Sequence, residues 1–340
     1  MSDLPENWSR REFVGGLAVA GTAGLLGVQP GSVAAEPPPE TAVLRIAFRP
    51  GTICLAPLYV AKELLPAGGF TDVQYVPQET DVGRRRAVAT GEAHVSMAFS
   101  PPTLMHIEAG DPILLLAGIH PGCVELFGNE RVRAIRDLKG KTVAVNALGG
   151  SLHVFLASMA AYVGVDPRKE INWVVHPIAE SVQLLAAGKI DAFVAVPPES
   201  LEARAKKIGH VVVNMMMDRP WSQYFCCIAF WNREFVRKHP VATKRALRAI
   251  LKAADVCAQQ PERVARAIVD WGFTKSYDYA LRTLKEMSYA SWRELDPEDT
   301  VRFYTLRLHE AGLIKSSPQK IIAQGTDWRF LNELKKELKE

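Results

Sequence analysis

Apolar positions along this chain alternate between two rhythms. Short β-branched and aromatic runs mark strands, and longer runs with apolar residues three and four apart mark helices. VLRIAF at 43–48 reads as a strand and APLYVAKELL at 56–65 as a helix. DVQYVP (72–77), GRRRAVATG (83–91), HVSMAF (94–99), PTLMHIEAG (102–110) and ILLLAGI (113–119) continue the alternation. Such alternation predicts a parallel sheet with right-handed crossovers. The rhythm breaks around Gly122 to Phe127 and resumes after Arg136 with KTVAVN (141–146) and a helix from 151. INWVVHP (171–177), AESVQLLAAG (179–188), IDAFVAVP (190–197), a short helix over 199–207 and HVVVNMM (210–216) complete a second unit. Beyond Phe225–Phe230 the pattern is almost wholly helical, with helices predicted over 240–258, 261–270, 276–288, 297–311, 317–323 and 328–339. Two α/β units and a helical tail predict two lobes, with the chain crossing between them near 120–128 and 222–232.

The stretch VNALGGSLHVFLASMA, 145–160, joins a strand to a helix through Gly149 and Gly150, and Ser151 is expected to cap the first turn. A helix start leaves backbone N–H groups open and carries partial positive charge, so it can hold an anion. A purely structural strand–helix turn is the competing reading. Neither G-x-G-x-x-G nor the terminal Gly-Lys-Ser/Thr of a P-loop is present, which argues against a nucleotide. Ligands of open α/β sheets sit beyond the carboxyl ends of the strands. Four loops occupy that position, 49–55, 100–103, 147–153 and 197–200, two from each lobe. They predict a cleft between lobes that can close on a ligand.

Ahead of the first strand, Ser9-Arg10-Arg11-Glu12-Phe13 precedes an apolar, Gly/Ala-rich run and the small residues GSVAA at 31–35. This is the pattern of a twin-arginine export signal, with cleavage expected after Ala35 and a Pro-rich linker over 36–42. The run is too short and too rich in glycine to span a bilayer. Cleavage leaves 305 residues, ample for two lobes, and raises the net charge from +4 to +5. That mild excess suits an anionic ligand and is too scattered for a nucleic-acid surface. The cysteines, Cys54, Cys123, Cys226, Cys227 and Cys257, are odd in number and show no C-x-x-C or Cys/His ligand spacing. Zinc and a disulfide framework are therefore not expected, and FCCIAF reads as a buried apolar run with buried thiols. One bridge in an oxidising compartment stays open, without a pairing.

The chain resembles the periplasmic substrate-binding proteins of nitrate/sulfonate/taurine ABC importers, the thiamine-pyrimidine-synthase-like family. The resemblance runs over residues 43–340 and rests on APLYVAKELL, SPPTLMHIEAGDP, RDLKGKTVAVNALGGSLH, VDPRKEINWVVHP, AAGKIDAFVAVPP, FWNREFVRKHP and GTDWRFLNELKKEL in that order. It implies an α/β, two-lobed periplasmic binding protein fold of type II, with a two-strand hinge and a helical C-terminal segment. Lobe 1 would comprise 43–125 and 228–340, and lobe 2 would comprise 126–227. The implied function is capture of a small anionic solute, nitrate-, sulfonate- or taurine-like, for delivery to a permease and its ATPase. A monomer without catalysis, cofactor or metal is expected.

In that family the turn matching Gly150-Ser151-Leu152-His153 meets the ligand's anionic group. Gly150 and Ser151 are thus the leading anion contacts, with His153 as either a contact or a filler of the cleft wall. Pro101 and Pro102 match a cleft-wall loop, and Ser100 and Pro101 are taken from it as candidate contacts. Where family members carry a Trp-Asp-Pro-Tyr-like stretch, this chain has Val196-Pro197-Pro198-Glu199, so Glu199 either faces the ligand or caps its own helix. Thr52, Cys54, Cys123, Gln223 and Tyr224 are further candidates. The alternative function is a cleft enzyme of the same fold, a carbon–sulfur desulfinase or pyrimidine synthase, with Cys54 as nucleophile and His153 as base. The synthase's cysteine-rich segment is missing.

Overall fold

The strands form where the apolar runs stood: β1 (Val43–Phe48), β2 (Asp72–Pro77), β3 (Val95–Phe99), β4 (Ile113–His120), β5 (Glu125–Gly128), β6 (Thr142–Val145), β7 (Asn172–Val175), β8 (Ala192–Ala195), β9 (His210–Asn214) and β10 (Cys227–Asn232). The computed structural model describes residues 36–338, so the twin-arginine segment and its cleavage position lie outside the described residues. Thirteen α-helices accompany the strands among the described residues, none of them long and apolar enough to cross a membrane.

Two five-stranded sheets result, ordered β2-β1-β3-β10-β4 and β7-β6-β8-β5-β9. Neither is the all-parallel sheet that the alternation predicted. In the first, β10 runs antiparallel to β3 and β4; in the second, β5 runs antiparallel to β8 and β9. The odd strand in each sheet is the chain arriving from the other sheet. After β4 the chain turns through Pro121–Val124 into β5, and after β9 it returns through 215–226 into β10. The first crossing needs backbone that L-residues seldom adopt: Gly122 has φ 82° and Cys123 φ 75°. Pattern reading saw 225–230 as a link because FCCIAF is uniformly apolar, without the period-two signal of a half-exposed strand. In the sheet every residue of β10 is buried, which explains the missing period.

Helix starts follow local capping chemistry. Thr80, Asn232, Ser276, Asp296 and Ser317 each accept a backbone N–H of the first turn. The C-terminal helices close the apolar side of the first sheet. Trp231, Trp292, Tyr289 and Tyr304 are buried there, and the Asp327 N–H donates to the Leu115 carbonyl at 3.0 Å.

Candidate functional site

The register of β10 creates the centre of the site. Cys227 stands opposite Phe99, the last residue of β3, and opposite His120, the last residue of β4. The carboxyl ends of β1, β3 and β4 and the start of β10 therefore converge, with the loop after β1 bringing Thr52 and Cys54 over them. From the other sheet, the loops after β6, β7 and β8 bring Gly150, Ile178 and Val196–Glu199 to the same place. Between them lies a cleft of two joined cavities, of about 180 Å³ and 560 Å³. Arg49, Asp81, Phe99, Ile178, Val196 and Glu199 line both.

The inner cavity is walled by Thr52, Cys54, Cys123, Cys227, Arg84 and Tyr279 among others. Arg84 is buried; its Nη1 donates to the Met97 carbonyl and its Nη2 to Asp81 Oδ1 at 2.6 Å. Burial pushes the Asp81 carboxyl up, but the charge and hydrogen bond of Arg84 outweigh it and hold it below the usual carboxylate range. The pair is thus a buried salt bridge, and the Nε of Arg84 has no hydrogen-bond partner among the described residues. Tyr279, from the helical tail, donates its hydroxyl to the Pro197 carbonyl at 3.0 Å, joining the two sides across the cleft.

At the floor stand four thiols and one imidazole. Cys54 Sγ, Cys227 Sγ and a His120 ring nitrogen lie within 4.8 Å of one another, and Cys123, Cys226 and Cys227 form an adjoining group. Cys123 Sγ is 3.0 Å from Cys226 Sγ. Both ring nitrogens of His120 face carbonyl oxygens, Nδ1 that of Pro121 at 3.0 Å and Nε2 that of Cys54 at 3.2 Å. A neutral ring can donate to only one of the two acceptors, so the arrangement favours the protonated ring beside the Cys227 sulfur. Burial pulls the His120 pKa down, and Cys227 more than restores it. Burial likewise pushes the Cys227 thiol up, and hydrogen bonds from the neighbouring thiols and the charge of His120 carry it well below its ordinary value.

The outer cavity holds the start of the helix Ser151–Tyr162. Its N-cap is Gly150, not Ser151, and no side chain caps it. Ser151 therefore does not cap the turn as its residue type suggested. It is the first helical residue, 8% exposed; its Oγ makes no hydrogen bond of good geometry among the described residues, but it lies near enough to the Asp81 carboxylate to help lower that group's pKa. Both Gly150 and Ser151 line the cavity. Arg49 shares that wall, exposed, with no ion pair among the described residues. Glu199 opens the helix Glu199–Ala205 but makes no side-chain capping bond. Its carboxylate joins those of Asp81 and Glu79 in the lining.

Other predicted residues stand apart from both cavities. His153 Nδ1 accepts the Gly149 N–H at 3.1 Å, and its ring packs edge-on against Trp173. Burial lowers its pKa, which keeps it neutral near pH 7. The proposed Cys54–His153 pair is thus not assembled; the histidine beside Cys54 is His120. Ser100 donates its hydroxyl to the Phe225 carbonyl at 2.7 Å, tying the helix Ser100–Glu108, with Pro101 buried in its first turn, to the second crossing. Tyr224 is stacked on Phe303 at 3.9 Å, and Gln223 is exposed beside it. Sequence reasoning missed Arg49, Asp81, Arg84, His120 and Tyr279. Arg49 was visible as the first residue of a strand-end loop, whereas His120 was hidden because its partners are set by a strand pairing 107 residues away (Cys227–His120).

Comparison with known proteins places the fold. No curated protein sequence matches the chain. Among solved structures, the periplasmic nitrate-binding protein NrtA of Synechocystis PCC 6803 superposes with a TM-score of 0.70 at 17% identity, covering 89% of this chain and 90% of that one. The alkanesulfonate-binding protein SsuA of Xanthomonas axonopodis pv. citri, bound to MOPS, gives 0.63 at 19% identity, covering 83% and 96%. The desulfurization enzyme DSZB gives 0.60 at 14%, covering 87% and 99%. At these identities the likeness is one of fold, that of the periplasmic binding proteins. The family model described as NMT1/THI5 like matches residues 55–264, well over half of the sequence, and the chain belongs to that family.

Proposed function

We propose that the chain is the solute-binding component of an ABC importer, capturing a small anionic solute between two lobes and handing it to a permease and its ATPase. The lobes are 43–125 with 228–340, and 126–227, hinged at the two crossings, and the protein acts as a monomer in the periplasm without catalysis. Fold neighbours that bind nitrate and alkanesulfonate support this reading.

The observation that carries it is the outer cavity. Arg49, which has no ion pair among the described residues, and an uncapped helix start with the buried Ser151 hydroxyl line the same space. Together they offer a charge, a dipole end and a hydroxyl donor to one anionic group. Glu199, in the same lining, favours a solute that also carries hydrogen-bond donors, as an aminosulfonate does.

The test is a thermal-shift and calorimetric panel of nitrate, taurine and simple alkanesulfonates on the purified mature chain. One of them should raise the melting temperature by mass action, and Arg49→Ala should weaken that binding roughly tenfold or more. A panel without a response, or an Arg49→Ala variant that binds as tightly as the parent, would overturn the assignment. The twin-arginine route is tested separately: Arg10→Lys with Arg11→Lys should strand the precursor in the cytoplasm, and normal accumulation in the periplasm would exclude that route.

A further inference from the structure

The solute reading uses the outer cavity and leaves the floor of the inner one without a role. We propose that Cys54, Cys227 and His120 form a metal site for a single thiophilic divalent cation of the zinc type, with a fourth coordination position open to the cleft. The proposal goes beyond the solute reading and stands independently of it.

Three observations carry it. The donor atoms of these residues already lie within 4.8 Å of one another, close to the spacing of ligands around one tetrahedral ion. They come from three separate elements, the loop after β1, the end of β4 and the start of β10, so the strand register, not a local turn, assembles them. Two thiolates and one imidazole are a donor set that selects zinc over oxygen-seeking cations.

The surroundings match what a bound ion needs. His120 Nδ1 is engaged by the Pro121 carbonyl, which fixes the ring, and Nε2, which faces the Cys54 carbonyl at 3.2 Å, would exchange that contact for the ion. Tyr289 packs edge-on against the same ring at 5.1 Å and donates its hydroxyl to the Ile53 carbonyl at 3.0 Å, steadying the loop that carries Cys54. Cys54 and Cys227 both line the inner cavity, so the side of the ion without protein ligands would face the cleft. A site with three protein ligands and one open position is of the kind that binds an exchangeable ligand. Cys123 and Cys226 stand behind as a second pair of thiols and are not needed for the three-ligand set. The sequence could not show this cluster, because its members are separated by 66 residues (His120–Cys54) and more.

The test uses the full mature chain, reduced, stripped of metal with a chelator and titrated with Co(II) without oxygen, then with Zn(II). One Co(II) per chain should bind, with thiolate-to-cobalt charge-transfer absorption and the intense visible bands of a tetrahedral ion, and Zn(II) should displace it. Cys54→Ser and Cys227→Ser should each weaken binding at least roughly tenfold while circular dichroism stays native. His120→Ala should do the same, the two serine variants deciding the matter if it fails to fold. Cys257→Ala, whose thiol belongs to neither group, should bind as the parent does. Folded, reduced protein that shows no charge-transfer band would overturn the proposal. So would a Cys227→Ser variant with the parent's spectrum and affinity.

Discussion

Ser151 concentrates the argument at the scale of single residues. Its hydroxyl is buried at a helix start beside the Asp81 carboxylate and makes no hydrogen bond of good geometry among the described residues, a state that costs stability unless a ligand completes it. Ser151→Ala should therefore weaken solute binding roughly ten- to a hundredfold, the worth of one hydrogen bond to a charged group, and leave the melting temperature of the free chain unchanged or slightly higher. Gly150→Asp should do worse, since it sets a carboxylate at the anion's place. Its φ of −71° suits any residue, although the new Cβ would stand 3.1 Å from the Ala147 carbonyl oxygen, so the variant's melting temperature is checked alongside. Titration calorimetry decides it: if both variants bind like the parent, the turn is only a strand–helix connection. What the sequence disclosed at this scale was what local chemistry determines. The strand–Gly-Gly–helix signal located Gly150 and Ser151, and the loop-end rule located Thr52, Cys54 and Glu199. It did not show that Arg84 and Asp81, one helical turn apart, neutralise each other in the cavity wall while Arg49 has no ion pair among the described residues, since that wall is assembled by tertiary packing.

At the scale of elements, most strands and helices were legible to within a residue or two, because apolar period and capping residues act locally. β1 and β2 fall where the pattern placed them. β5 and β10 did not announce themselves, being short or buried on both faces, and their antiparallel insertion depends on chain paths that no window of sequence contains. β10 also demands space. A Cβ on Gly118, in β4 beside it, would collide with the ring of Phe225, which leads into β10 and is itself wholly buried. Gly118→Ala should consequently cost about 1–3 kcal/mol through overpacking, read as a lower urea midpoint with an unchanged slope. The cost arises from a side-chain ring, not from backbone angle, so Gly118→Ala combined with Phe225→Leu should recover part of it. A single variant as stable as the parent would mean that the ring has room to move, and that the second crossing is looser than its packing indicates.

At the scale of the whole molecule, the two sheets are joined across the cleft by a few polar contacts that a hinge must break. Tyr279 reaches Pro197, and Arg204, on the helix after β8, reaches Glu286 of the helical tail at 2.6 Å. Arg204 also faces Glu125 at 3.4 Å, a buried carboxylate at the start of β5 whose Oε1 accepts from Asn214. Burial raises the Glu125 pKa, and Arg204 only partly offsets this. A carboxyl with a raised folded pKa favours folding most when protonated; that contribution is complete below its unfolded value and is lost as pH rises through the folded one. Removing Arg204 raises the folded value further, so the loss must grow with pH. Arg204→Ala should cost about 1–3 kcal/mol near pH 7 and progressively less in acid, as Glu125 protonates. Urea melts across that pH range test this, and a deficit independent of pH would show that Arg204 acts by packing alone. The same substitution removes the link to Glu286, which lies on the other side of the cleft. Small-angle scattering should then find a larger radius of gyration for Arg204→Ala without solute than for the parent, both contracting at saturation. Should the parent keep one radius with and without its solute, the lobes do not close, and Arg204 is a structural tie between fixed halves.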